Sequence, residues 1–181
     1  MRRREAPAAK GGTSVFKRLL TTRSLCVSAV IAALYAALTL LLAPISYGAI
    51  QCRVSEALTL LPVLLPEAIS GLAVGCLIAN LFGSATPWDV VFGTLATLIA
   101  AVLSYLLRKR TLTKWKLPVL SALMPVLANG IIVGLVLSLT LHLPLVITML
   151  EVAAGELVAC VLGLLLIHAL KDVDLDRLTR K

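Results

Sequence analysis

Four stretches of this 181-residue chain, at positions 25–42, 92–107, 117–141 and 143–170, are near or above the length that crosses hydrocarbon as a helix, about 18 to 20 residues. The only charged side chains within them are Glu151 and Glu156. A further apolar block at 53–83 is interrupted by Pro62 and Pro66. Those prolines remove backbone donors and predict a short helix, a tight turn and a second helix. The chain is therefore expected to be an all-α integral membrane protein, a compact bundle of six transmembrane helices whose second member is short. Composition agrees: 60% of residues are hydrophobic, 14% are charged and the mean hydropathy is +1.01. A soluble domain of this size has too little interior for so much apolar surface.

Within this apolar sequence the carboxylates stand out. Glu56, Glu67, Asp89, Glu151 and Glu156 lie in or against the long apolar runs. A charge at mid-bilayer costs roughly 2.5 to 3.5 kcal/mol on insertion scales, so such residues usually face an internal cavity and mark a ligand or ion path.

Of the 17 Lys and Arg residues, all but Arg53 fall before the first span, between the fourth and fifth, or after the sixth. Loops that stay in the cytoplasm keep their basic residues, so both termini are predicted to be cytoplasmic, which requires an even number of spans. The net charge of +8 is a topology signal, and attraction to anionic lipid accounts for it without nucleic acid. Residues 1–23 read as a flexible basic cytoplasmic tail, 24–170 as the membrane domain and 171–181 as a second cytoplasmic tail. The first apolar run exceeds a signal-peptide core and lacks a small-x-small cleavage site, so it is expected to be a retained span.

No nucleotide-binding loop, HExxH or GxSxG occurs, so no catalytic residue and no cofactor are assigned. Cys26, Cys52, Cys76 and Cys160 are widely spaced and read as packing residues, with no metal site. His142 and His168 read as interfacial. Small residues recur at helix-packing intervals: Gly71 with Gly75, Gly130 with Gly134, and Gly155, Ala159 and Gly163. Internal packing explains these glycines. The stripe of Ala29, Ala33 and Ala37, widened by Ala32 and Ala36, fits a partner-docking face as well as it fits internal packing.

Depth sorts the remaining polar groups. In a sixth helix starting near 143, Glu151 lies about 10 to 12 Å along and Glu156 about 18 to 20 Å, some 140° apart around the axis. Glu151 is the expected ligand residue, and Glu156 is expected to be neutral or bonded to a neighbouring helix. Asn129 can serve a ligand or an interhelical hydrogen bond. Tyr47, Gln51, Arg53, Glu56, Asn80, Trp88 and Asp89 gather at the outer ends, although interfacial anchoring explains Tyr47 and Trp88, helix capping explains Asp89, and an i,i+3 pair explains Arg53 with Glu56. Glu67 follows Pro66 in the inner turn, outside the ligand region.

Several of these runs resemble one family. Gln51-Cys52-Arg53-Val54-Ser55-Glu56-Ala57-Leu58-Thr59, Pro66-Glu67-Ala68-Ile69, Gly75-Cys76-Leu77-Ile78-Ala79-Asn80 and Asp89-Val90-Val91-Phe92-Gly93-Thr94-Leu95-Ala96-Thr97 are similar to the QueT family of queuosine-precursor transporters, as are the pairs Asn129-Gly130 and Gly155-Glu156. The likeness runs from Leu25 to Leu170. It implies a non-enzymatic, substrate-binding S component of an energy-coupling factor (ECF) importer in the plasma membrane, working with a transmembrane T component and two cytoplasmic ATPases. S components dock through an AxxxA stripe on the first helix, which Ala29, Ala33 and Ala37 match. The implied mechanism is capture near the outer face, closure of the outer loops and toppling of the whole subunit to release ligand inside.

The implied ligand is a 7-deazaguanine: queuine or its cyano or aminomethyl precursor. A carboxylate can accept the paired N–H donors of its guanine-like edge, a role that falls to Glu151 or Glu56. Gln51, Asn80, Asn129 and Arg53 are the candidates for the remaining polar contacts, Trp88 or Tyr47 for stacking, and Asp89 for an aminomethyl cation. Two alternatives stand beside this reading: an S component for a different vitamin, and a proton- or ion-coupled carrier using the buried carboxylates as a relay.

Overall fold

The computed structural model describes residues 21–47, 52–83, 86–108, 118–170 and 173. All regular elements among them are helical: α1 (Thr22–Leu41), a single turn α2 (Ala43–Ser46), a 3-10 helix (Val54–Val63), α3 (Ala68–Gly83), α4 (Pro87–Leu107), α5 (Val119–Leu141) and α6 (Leu145–Leu170). Four of these, α1, α4, α5 and α6, are long and apolar enough to cross a membrane. The 3-10 helix and α3 are shorter, so six full spans are not read from helix length. Of the basic residues behind the topology argument, Arg23, Arg53 and Arg108 are described; the others, with most of both proposed tails, lie outside the described residues.

Local chemistry sets the helix ends. The Thr21 side chain accepts from the Ser24 N–H at 3.3 Å and opens α1. Pro87 in the first turn and the Thr86 cap start α4 five residues before the apolar run at Phe92, because φ fixed near the helical value and a satisfied end donor favour helix there. At the other end of α5, His142 takes the left-handed conformation (φ 55°) and the Leu143 N–H returns to the Ser138 carbonyl at 3.1 Å, closing the helix before Pro144. The block at 53–83 divides where its prolines predict, but its first half is a 3-10 helix, not an α-helix.

Glycines let the helices approach closely. A Cβ on Gly71 would lie 2.6 Å from the Ser28 carbonyl oxygen, and one on Gly75 2.7 Å from that of Ala32, so α3 meets the backbone of α1. A Cβ on Gly134 would meet Met149 Cα at 2.8 Å, and one on Gly163 the Ala57 carbonyl at 2.7 Å. These contacts assign the glycine pairs to internal packing. The 3-10 helix is the hub, touching α1, α3, α4, α5 and α6. Ser55, Glu56, Ala57, Thr59, Leu60, Leu61 and Pro62 are buried there. Outside, leucine, isoleucine, valine and phenylalanine side chains such as Leu41, Phe82, Leu139, Val146 and Leu165 are exposed, the surface expected of a bundle whose solvent is lipid.

Candidate functional site

Glu56 leaves the first turn of the 3-10 helix and is fully buried. Its Oε1 accepts hydrogen bonds from the Tyr35 hydroxyl of α1 and, at 2.8 Å, from Thr97 Oγ1 of α4. Thr97 is itself held: Cys76 Sγ lies 3.4 Å from its hydroxyl, and Asn80 Nδ2 donates to that sulfur at 3.4 Å. Because the Thr97 proton goes to Glu56, the cysteine thiol donates to Thr97. A chain of donors thus runs from α3 through α4 to one oxygen of Glu56. The other, Oε2, is buried and has no partner.

Polar groups from α5 and α6, together with Arg53 at the start of the 3-10 helix, act on the Glu56 carboxyl. Arg53, at the N-cap of the 3-10 helix, is 5% exposed; its guanidinium lies 5.1 Å from the Tyr47 ring centroid and its charge acts on both Glu56 and Glu156. Asn129 of α5 sits within reach of both carboxyls, yet its Nδ2 makes no hydrogen bond of ordinary length and angle with either. Glu156 of α6 is 2% exposed and interacts electrostatically with Glu56. Arg53 Nε, Glu56 Oε2, Asn129 Nδ2 and Glu156 Oε2 are all buried without partners. Leaving one such group unsatisfied costs about 1 to 3 kcal/mol, so four together describe a site built for a polar occupant.

Asn80 and Asp89 form a rim beside this cluster. Asn80 Nδ2 also donates to the Asp89 carbonyl at 3.2 Å, while Asp89 Oδ2 accepts from Thr86 Oγ1 at 2.9 Å. Asp89 therefore belongs to the cap of α4, but its Oδ1 and the Asn80 Oδ1 remain buried and unpartnered. Gly93 makes room between rim and cluster: a Cβ there would lie 2.9 Å from Asn80 Nδ2 and 3.8 Å from an Arg53 guanidinium nitrogen.

The structure thus brings together Arg53, Glu56 and Asn129, with Asn80 and Asp89 alongside. Gln51 lies outside the described residues. Glu151 is half-buried and makes no hydrogen bond or ion pair among the described residues. Trp88 is 60% exposed and packs on Phe92 at a centroid distance of 6.0 Å. Both rings border an apolar cleft of about 900 Å³ between α4 and α5, also lined by Leu95, Ile131, Leu135 and Leu139. That cleft contains none of the unpartnered polar atoms, so volume and chemistry lie in different places; we assign the site to the chemistry. Tyr47 donates its hydroxyl to the Ala79 carbonyl at 2.8 Å, which fixes the ring under Arg53.

Three members of the cluster were not singled out as ligand residues by the sequence: Tyr35, Thr97 and Glu156. Glu156 carried a signal. It shares a helical face with Val152, Ala159 and Gly163, the face that packs on the 3-10 helix, and all four are buried. Tyr35 and Thr97 looked like ordinary members of apolar helices, and only the fold shows that both point at Glu56.

On the opposite side of α1, Ala29, Ala33 and Ala37 are exposed, whereas Ala32 and Ala36 are buried. The three-alanine stripe is not consumed by packing within this chain.

No solved structure matches the chain. The queuosine precursor transporter QueT of Lactococcus lactis subsp. cremoris is 44% identical over 84 residues, a segment covering 45% of this chain and 49% of that protein. The match therefore spans about half the length of that relative. The model of the QueT transporter family matches residues 25–172, from the first turns of α1 to just past the end of α6. A multi-pass membrane protein by its apolar helices, the chain belongs to the QueT transporter family.

Proposed function

We propose that this protein captures a queuosine precursor, a 7-deazaguanine base, as the substrate-binding S component of an ATP-driven ECF importer. The observation that carries the proposal is the set of buried, unpartnered groups on Arg53, Glu56, Asn129 and Glu156. A guanine-like base offers adjacent N–H donors to a carboxylate and a carbonyl to the guanidinium or the Asn129 amide, which matches that set in kind. Glu56 is the leading acceptor, since Tyr35 and Thr97 hold one oxygen and leave the other free. Ligation of all four groups removes the penalty of leaving them unsatisfied, so binding and rigidity rise together.

In this reading six membrane-embedded segments place both termini in the cytoplasm, and the exposed Ala29, Ala33 and Ala37 receive a T component whose two ATPase partners supply the energy. The test is equilibrium binding of queuine and of its cyano and aminomethyl precursors to the detergent-purified full chain, with riboflavin, thiamine and biotin as controls. Selective deazaguanine binding supports the proposal; binding of a control vitamin alone overturns it in favour of another S-component specificity.

One observation favours a second reading: Glu56 and Glu156 are two carboxyls buried in mutual electrostatic contact, an arrangement suited to proton relay. Uptake into proteoliposomes containing only this chain, abolished by collapse of a proton gradient, would select that reading.

A further inference from the structure

α4 and α5 are clasped at one end and parted at the other. Near the C-terminus of α4 the Ser104 hydroxyl donates to the Ser121 carbonyl at 2.9 Å, and the Ser121 hydroxyl donates to the Ser104 carbonyl at 3.0 Å; both serines are fully buried. Toward the start of α4 the same two helices border the apolar cleft of about 900 Å³, a size within the range of about 300 to 1,000 Å³ that ligand sites occupy. Pro125, which denies α5 a backbone donor at a place where a helix can bend, lies between the clasp and the cleft. Among the described residues no charged side chain lines the cleft. Its two hydroxyls are already used, since Thr86 donates to Asp89 Oδ2 at 2.9 Å and Thr140 to the Val136 carbonyl at 2.8 Å. The cleft therefore asks for an apolar occupant and offers nothing to a polar one.

We infer that this cleft is a lipid site, which seats one acyl chain of a bilayer phospholipid against α4. Three observations select that occupant. The cleft is continuous with the lipid-facing surface, because Trp88, Leu95, Ile131, Leu135 and Leu139 line it and are also 40% to 67% exposed. Trp88 stands in the first turn of α4, the kind of helix end at which an amphipathic ring meets headgroups, so a chain entering there keeps its polar end in the interface. The cleft is also short: Trp88 to Leu95 and Ile131 to Thr140 rise by roughly 10 to 14 Å, against about 30 Å of hydrocarbon. Beyond it α4 is closed in by the buried Ala100, Ala101 and Ser104. A transmembrane helix of a partner or of a second copy would run on into that closed half, whereas an acyl chain follows the cleft and leaves it. The seated chain backs α4 on the side opposite the polar cluster, since Leu95 and Thr97 lie about 160° apart around the axis and Thr97 is a donor to Glu56.

The test titrates the delipidated full chain, in detergent, with phosphatidylcholine brominated on its acyl chains while tryptophan emission is recorded. Bromine quenches an indole on near contact, and Trp88→Phe, which leaves Trp115 as the sole tryptophan, supplies the background. Quenching of Trp88 is expected to saturate at stoichiometric lipid, with a higher melting temperature in the presence of lipid than in its absence. Ile131→Phe combined with Leu135→Phe fills the cleft and is expected to raise the half-saturating lipid concentration at least tenfold. Where that pair proves too destabilised to purify, Ile131→Phe alone, at a side chain 57% exposed, is read instead, with a rise of at least threefold expected. Quenching that grows in proportion to the brominated lipid without a plateau would reduce the lipid to solvent and overturn the inference, as would a half-saturation unchanged by filling the cleft. A dimer of the delipidated chain that the same substitutions dissociate would give the cleft to a second copy and overturn it too.

Discussion

Deleting one oxygen, in Tyr35→Phe, separates the orientation of Glu56 from the packing around it. Tyr35 is fully buried and its hydroxyl donates to Glu56 Oε1. The ring fills the same volume in either residue, so the change removes a hydrogen bond and creates almost no cavity. Hydrogen bonds to charged groups contribute about 1.5 to 3 kcal/mol. Thr97 still donates to the same oxygen at 2.8 Å, which places the loss near the lower end, about 1.5 kcal/mol. If half or more of that appears as mobility of Glu56 in the empty site, ligand affinity falls between about threefold and tenfold, at 1.4 kcal/mol per decade. In thermal unfolding in detergent, about 1.5 kcal/mol corresponds to a drop of roughly 3 to 6 °C for a chain of this size. Both quantities are read from one preparation, melting without ligand and titration with a deazaguanine that binds the unmodified protein. An unchanged melting temperature together with unchanged affinity would refute the claim that the phenol orients Glu56. A loss of stability with no loss of affinity would confine Tyr35 to a structural part.

Three further perturbations address the frame around the site. Gly75→Ala places a Cβ 2.7 Å from the Ala32 carbonyl and 2.9 Å from Tyr35 Cβ, so α1 must move off α3; destabilisation of about 1 to 3 kcal/mol is expected by chemical or thermal melting. Ala33→Leu enlarges a side chain on the exposed face of α1 and is expected to leave ligand titration unchanged while reducing ATP-dependent uptake by the assembled importer; unimpaired uptake would remove the docking role from this stripe. His142→Gly relieves the left-handed backbone at the end of α5 (φ 55°) and is expected to raise stability by about 0.5 to 1 kcal/mol, seen as a higher melting temperature.

What the sequence disclosed depended on whether the signal was periodic or positional. The long apolar runs and the two prolines located every major helix, since helix length and helix breaking are local properties. Arg53, Glu56 and Asn129 could be nominated because a charge or an amide in an apolar run needs a reason. The choice between Glu151 and Glu156 could not be made from depth along the helix, because burial depends on which face meets a neighbour. Glu156 lies on the face carrying Ala159 and Gly163, where the 3-10 helix comes close enough for Gly163 to touch the Ala57 carbonyl. Glu151 is about 140° away around the same axis and is half-buried. On α6 the stripe of Gly155, Ala159 and Gly163 thus marks the buried face, and the polar residue beside it is a better site candidate than the one at a favourable depth. Tyr35 and Thr97 carried no comparable mark, since one tyrosine and one threonine in apolar helices are ordinary until a carboxylate is found opposite them.

The position of α1 links the polar cluster to the exposed surface. Successive residues turn by about 100°, so Ala33 and Ala37, each two residues from Tyr35, lie about 160° from it, on nearly the opposite side of the helix. One face of α1 is tied inward by Tyr35 to Glu56, by Thr39 Oγ1 at 2.6 Å from Ser55 Oγ, and by Ser28 to the Glu67 carbonyl at 2.8 Å. Two of these three ties end on the 3-10 helix that carries Arg53 and Glu56. The other face presents the alanine stripe. A rigid helix between them has few ways to yield: α3 already touches its backbone at Ser28 and Ala32 through Gly71 and Gly75. Any shift of the 3-10 helix that accompanies filling of the cluster must therefore break the ties at Tyr35 and Thr39 or move α1 as a body, and movement of α1 as a body displaces the alanine stripe with it. In the proposed importer, that makes α1 the element through which occupancy of the site is felt at the docking face.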